Sequence, residues 1–194
     1  MCIRDRLAAS VCMKLGIDLD TIAEGLKSVK GVSGRMESLP AEGFDFSVIL
    51  DFAHTPDGLS NLLSAVQGFA RGRVIAVFGC GGDRDNAKRP IMGATAAKLA
   101  DFCVVTSDNP RTEDPTRIIN MVLEGVRSEK TEYVVIENRR EAIRYALNIA
   151  KKDDVVVLAG KGHENYQEIN GIKHPFDEKI IVAEILEDMR CGRK

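Results

Sequence analysis

The chain has 194 residues, 44% of them apolar and 29% charged, which suits one domain of ordinary size plus an appendage. Its 27 Lys+Arg and 29 Asp+Glu leave a net charge of -2, which argues against broad electrostatic capture of nucleic acid or of an anionic membrane. No apolar run has the length of a membrane span, the opening "MCIRDRLAAS" lacks the apolar core of a signal peptide, and five cysteines with neither a CxxC pair nor zinc spacing favour reduced thiols and a cytoplasmic location.

A helical pair comes first. Leu7–Gly16 reads as a helix closed by Gly16, and Asp18–Val29 as a second, capped by Asp18 or Asp20, with Ile22, Leu26 and Val29 at helical spacing. Two short amphipathic helices cannot bury their apolar faces alone, so they read as the tail of a preceding domain. "KGVSGRMESLPAEGF" reads as a linker, which puts a boundary near Gly34 and divides the chain into 1–33 and 34–194.

From Phe46 strands and helices alternate. "FSVILDF" is a strand, followed by a helix with Thr55 as cap, Pro56 at its first position and Leu59, Leu62, Leu63 and Val66 on one face. "RVIAVFG", "FCVVTS", "EYVVIE" and "DVVVLAG" are further strands. "RPIMGATAAKLA", "PTRIINMVLEGV" and "RREAIRYALNIA" are the helices between them. "YQEINGIKH" reads as a hairpin turning on Asn170-Gly171, and "DEKIIVAEILEDM" as a closing helix. Continuous apolar strands separated by helices predict an α/β fold: a Rossmann-like, doubly wound, mostly parallel sheet covered on both faces.

Ligands of such sheets bind beyond the carboxyl ends of the strands. The loops there are "DFAHTPD", "GCGGDRDNAKR", "SDNPRTEDP", "ENRR" and "GKGHENYQ". "GCGGDRD" has Arg84 where a dinucleotide fingerprint needs a third glycine, and neither it nor "GKGHE" continues into the Lys-Ser/Thr of a P-loop. Asp51, His54, His163 and Glu164 make a thin metal set, and solvated turn residues explain them more simply. His163 taken alone reads as a packing residue, and Cys80 as a small residue in a tight turn. The rim as a whole is more specific. Arg84 and Arg111 offer planar forks for carboxylates, Asp108 and Glu164 can accept from ammonium groups, and Asn109 can do either. This describes a pocket for a zwitterion charged at both ends. Behind it, Glu113 and Asp114 suit the positive end of the helix opened by Pro115.

"GRMES", "DFAHTPDGL", "FGCGGDRDNAKRPIMG", "TSDNPRTEDP" and "LAGKGHENYQ", in this order, resemble the C-terminal domain of the Mur ligases, most closely the type that adds 2,6-diaminopimelate. The resemblance runs from about Leu7 to Asp188. "MCIRDR" does not fit the family's helix, and the first residues are expected to be non-native. The resemblance implies ATP-dependent formation of an amide bond between meso-diaminopimelate and UDP-N-acetylmuramoyl-L-alanyl-D-glutamate in peptidoglycan synthesis. It implies an N-terminal and a central ATPase domain upstream, residues 1–33 being the end of the latter and the P-loop and Mg2+ ligands lying there. Matched by motif, Arg35, Asp51 and His54 would contact ATP, Asp51 at the ribose. Arg84, Asp108, Asn109, Pro110, Arg111, Gly160 and Glu164 would form the diaminopimelate pocket, with Pro110 shaping its loop, and no residue would be catalytic or hold metal here.

Two other readings compete. A stand-alone amino-acid or nucleotide-binding module would need no P-loop upstream. A folate-polyglutamating ligase would need glutamate recognition, which "DNPR" and "GKGHE" do not suit.

Overall fold

The computed structural model describes residues 3–29 and 31–192, in a chain that divides into two compact units after Val32. The first unit holds α1 (Ile3–Lys14) and α2 (Leu19–Ser28). α1 begins at Ile3, ahead of the Leu7 expected. The chain reverses at Gly16, whose φ of 81° a side chain would strain, with the Ile17 amide donating back to Cys12 O. Asp18 caps α2 by accepting from Thr21 N at 2.9 Å. Ile22 is buried, whereas Leu7, Val11, Met13, Leu15 and Leu19 are exposed.

The second unit is the doubly wound body. Its elements are β1 (Glu37–Leu39), β2 (Ser47–Asp51), α3 (Pro56–Gln67), β3 (Val74–Phe78), α4 (Lys88–Leu99), β4 (Phe102–Val105), α5 (Pro115–Val126), β5 (Glu132–Val135), α6 (Arg139–Ile149), β6 (Val155–Ala159), β7 (Tyr166–Ile169), β8 (Ile172–Pro175) and α7 (Glu178–Arg190). The main sheet runs β1-β2-β6-β3-β4-β5 and is parallel except for β1, which pairs antiparallel with β2. β1 lies inside the stretch expected to be a linker. Three residues without an apolar run carry no strand pattern; pairing to the β2 edge supplies the order.

The two faces of the sheet are separate cores, because strand side chains alternate. Ile49, Val155, Val157 and Ala159 pack with α3, α4 and α5, while Val48, Leu50, Val156 and Leu158 pack with α6 and α7. α4 and α5 approach through glycine: a Cβ on Gly125 would stand 1.8 Å from Pro90 O, and one on Gly93 2.1 Å from Val122 O. Caps fix where the helices leave the rim. Thr55 accepts from Gly58 N, Asp114 from Thr116 N, Asn138 from Glu141 N and Asp177 from Lys179 N. In the hairpin, Asn170 and Gly171 both take positive φ, 50° and 75°, as a two-residue turn of this hand requires.

Strand order decides which loops meet. β6 lies between β2 and β3, with β4 beyond, so the loop after β6 is flanked by those after β2 and β3. The loop after β4 completes the row.

Candidate functional site

These four loops enclose a cleft of about 330 Å³ lined by Phe52, His54, Arg84, Lys88, Asp108, Asn109, Arg111, Gly160, Glu164 and Tyr166, with Thr55 and Gly81 completing it. Six of the seven residues expected to hold an amino acid therefore face one space. Pro110 does not line it. It is buried behind the wall, where its carbonyl accepts from Glu113 N and stands so close to Gly82 that a Cβ there would lie 1.9 Å away.

The cationic wall rests on Arg111. Its φ of 53° is left-handed, which costs a non-glycine residue about 1 kcal/mol and is held by main-chain bonds to the hairpin. Arg111 N donates to Glu168 O at 3.0 Å and Asn170 N donates to Arg111 O at 2.6 Å. The guanidinium donates from Nη1 to Gly82 O at 2.7 Å and lies 3.5 Å by Nε from Glu168 Oε2, which leaves Nη2 without a protein partner among the described residues. A Cβ on Gly81 would come within 2.9 Å of Nη1, so the glycine makes room for the fork. Arg84 is exposed at the mouth and spends one nitrogen on Asp83 O at 3.2 Å.

The anionic wall is built from Asp108, Asn109 and Glu164. Asp108 Oδ1 accepts from Asn109 N at 2.7 Å, while Oδ2 is buried without a hydrogen bond. Gly160 has a φ of 123°, and a Cβ there would stand 2.8 Å from that oxygen. Asn109 Oδ1 accepts from Lys161 Nζ and from Glu168 N, both at 2.9 Å, and its Nδ2 donates to Glu164 Oε2 at 3.0 Å. Sequence alone let Asn109 donate or accept. With its oxygen doubly engaged, it has only an N–H left to offer.

Behind both walls lie three buried charges that the sequence reading did not single out, Arg89, Arg139 and Glu178. Arg89 is buried and pairs with Glu113 through two bonds, Nη1 to Oε2 at 2.9 Å and Nη2 to Oε1 at 2.7 Å. The guanidinium holds the Glu113 carboxyl down at about 2. This revises the expectation for Glu113, which serves Arg89 rather than the start of α5. Asp114 does cap that helix. Arg139 and Glu178 are also buried and bonded at 2.8 Å, with Arg139 Nη1 3.8 Å from Asp108 Oδ2. Burial disfavours the Arg139 charge, but the Glu178 and Asp108 carboxylates outweigh it and raise the pKa. The only signal for these residues was their position next to a strand end or at a helix start.

The residues expected to meet ATP gather around Phe52. The Arg35 guanidinium lies 4.7 Å from the centre of that ring, and the His54 and His163 rings lie at 4.6 and 5.2 Å. Asp51 Oδ2 accepts from Met36 N at 2.7 Å, which ties the Arg35 turn to the end of β2. Gly34 and Gly162 permit the approach: a Cβ on Gly34 would meet His163 N at 2.3 Å, and one on Gly162 the Phe52 side chain at 2.7 Å. Among the described residues no group of three His, Cys, Asp or Glu side chains converges in a way that could hold a metal. Burial pushes the Cys80 thiol up to about 12, which removes it as a nucleophile. No helix among the described residues is long and apolar enough to cross a membrane.

Known proteins with this architecture are similar along nearly the whole chain. The family model for the Mur ligase, glutamate ligase domain, matches residues 34–162. The UDP-N-acetylmuramoyl-L-alanyl-D-glutamate--2,6-diaminopimelate ligase of Clostridioides difficile is 52% identical over 180 residues, covering 93% of this chain and 37% of that protein. The ligase of the same name from Caldanaerobacter subterraneus is 54% identical over 181 residues, with coverage of 93% and 37%. A solved structure of a ligase of this name superposes with a TM-score of 0.77 at 39% identity, over 94% of this chain and 37% of that one. A folylpolyglutamate synthase from Mycobacterium tuberculosis, at 22% identity and a TM-score of 0.61 over 96% of this chain and 38% of that one, shares the fold alone. The chain spans little more than a third of the length of these relatives. On the family match, carried by the unit that holds the cleft, the chain belongs to the Mur ligases.

Proposed function

We propose that this chain is the amino-acid-binding part of an ATP-dependent ligase that adds meso-2,6-diaminopimelate to UDP-N-acetylmuramoyl-L-alanyl-D-glutamate. One observation carries the reading: a single cleft is lined by Arg84 and Arg111 together with Asp108 and Glu164, the charges that a double zwitterion calls for. The names of the relatives support the choice of amino acid.

The carboxylates of Asp108 and Glu164 receive ammonium groups. Arg111 Nη2 and the free Asn109 N–H receive a carboxylate, with Arg84 closing the mouth. Lysine, lacking the distal carboxylate, would leave Arg111 Nη2 and the second Asn109 N–H without their acceptor, although Glu168 still neighbours the guanidinium, so the pocket discriminates through a missing hydrogen-bond partner. The contribution to rate is orientation: the amine is held where an activated carboxyl group can be presented to it.

The residues around Phe52 fit a nucleotide. Arg35 suits phosphate, His54 lies beside it, and Asp51 keeps Oδ1 for a ribose hydroxyl. Bound ATP supplies the phosphoryl group that activates the acceptor carboxylate. The sequence carries no P-loop motif, and the reading assigns that loop and the Mg2+ ligands to a central domain of the same enzyme, of which residues 1–33 would be the end. By itself the chain is expected to show no ligation. The reading places the work in the cytoplasm, where the nucleotide-linked substrate and ATP occur together.

Calorimetric titration of the chain, and of the full-length ligase, with meso-diaminopimelate and with lysine tests the reading. Preference for diaminopimelate, weakened about a hundred-fold by Arg111→Ala, is expected. Equal binding of the two amino acids, or an unchanged Arg111→Ala variant, would overturn it.

A further inference from the structure

We infer that Lys161 is a positioning residue that sets the polarity of the amino-acid pocket through Asn109 and Glu164; the inference rests on reading this cleft as the diaminopimelate site. Lys161 follows the central strand β6 and has no exposed side-chain surface. A lysine withdrawn from water is tolerated only where its donors are used. Here Nζ donates to Asn109 Oδ1 at 2.9 Å and to Glu164 Oε2 at 3.4 Å, with the Tyr166 and Phe176 rings each 5.8 Å away.

Two consequences follow for the cleft. The Asn109 amide has two ways to lie, and they present opposite faces to a ligand. Lys161 Nζ and Glu168 N both donate to its oxygen, so the reversed amide would set N–H against N–H twice. The chosen orientation sends one Nδ2 hydrogen to Glu164 and leaves the other for a carboxylate. At the same time Lys161 and Asn109 both occupy Glu164 Oε2, which leaves Oε1 as the oxygen available to an ammonium group. One buried cation thus assigns a donor to one residue and an acceptor to its neighbour. Lys161 does not line the cleft itself.

The test is a double-mutant cycle in the full-length ligase with Lys161→Met, Asn109→Ala and the pair, and with Lys161→Gln in parallel so that one poorly folding variant does not end it. Each Lys161 variant is expected to raise KM for meso-diaminopimelate about ten-fold, with kcat at saturation and KM for ATP within about three-fold of the unmutated enzyme. The paired variant is expected to lose no more than the worse single, because both act on one contact. Unchanged KM, additive losses, or an equal rise in KM for ATP would overturn the role of Lys161, as would a fall in melting temperature in both variants with KM preserved. An unmutated ligase that does not accept meso-diaminopimelate would overturn the reading of the pocket instead, and it is recognised before any variant is made.

Discussion

Arg89, in the first turn of α4, and Glu113, in the loop that follows the Asp108–Arg111 stretch, clasp each other by paired bonds of 2.9 and 2.7 Å. The same carboxylate accepts from Asp83 N at 2.6 Å, and Arg89 also reaches Gly81 O at 3.3 Å. Asp83 returns the contact, accepting from the Thr112 hydroxyl at 2.8 Å. The turn that supports Arg111 is therefore fastened from both sides.

The clasp sets a pH dependence. Glu113 releases its proton more readily in the folded chain than in the unfolded one, its value lying at about 2 against the usual 4.5. Its stabilisation is full above 4.5 and drains as pH falls toward 2. After allowance for solvent screening it is worth about 2 kcal/mol. Urea denaturation between pH 6 and about 3 should show this loss in the unmutated chain and a flatter profile in Glu113→Gln.

Gly81→Ala tests the space beside Arg111. Its Cβ would lie 2.9 Å from Nη1, so the guanidinium must shift while the backbone need not. Diaminopimelate affinity should fall about ten-fold in calorimetry with the melting temperature nearly unchanged.

Gly125→Ala should act in the opposite way. The added carbon meets main-chain atoms of α4, Pro90 O at 1.8 Å and Ala94 N at 2.7 Å, and nothing flexible can yield. A loss of about 3 kcal/mol by denaturant titration is expected from the overpacked crossing.

Arg139→Met should cost about 3 to 5 kcal/mol, because it strands the buried Glu178 and leaves Asp108 Oδ2 without its cation. Adding Glu178→Leu should recover part of the loss. Thermal melts of the single and double variants decide the point, and a double variant less stable than the single would contradict it.

Sequence and structure agree most closely where apolar period and turn chemistry speak together. β3, β6 and α5 follow from unbroken apolar runs and from Pro115, and the hairpin from Asn170-Gly171. β1 was hidden because a three-residue edge strand owes its order to its neighbour. Arg89 and Arg139 were hidden because charge is normally read as surface, and only strand order shows which carboxylates cover them. The left-handed Arg111 was equally invisible: a non-glycine residue at positive φ is imposed by partners, here Glu168 and Asn170, distant in the chain. The row of rim loops needed only the parallel topology.

The bonds from Asn109 and Arg111 to residues 164–170 also bear on the order of events during folding. They join segments more than fifty residues apart, Asn109 to Glu164 across 55 and to Glu168 across 59. Such closures come late, since the loop entropy must be met before the contacts reward it. A growing chain on the ribosome would complete β2, β3 and β4 before β6 and the hairpin exist. Until then Arg111 has nothing to hold its backbone left-handed, and Asn109 nothing to orient its amide. The cleft formed by these loops is thus completed at the final stage of folding, and any ligand binding there would report a finished domain.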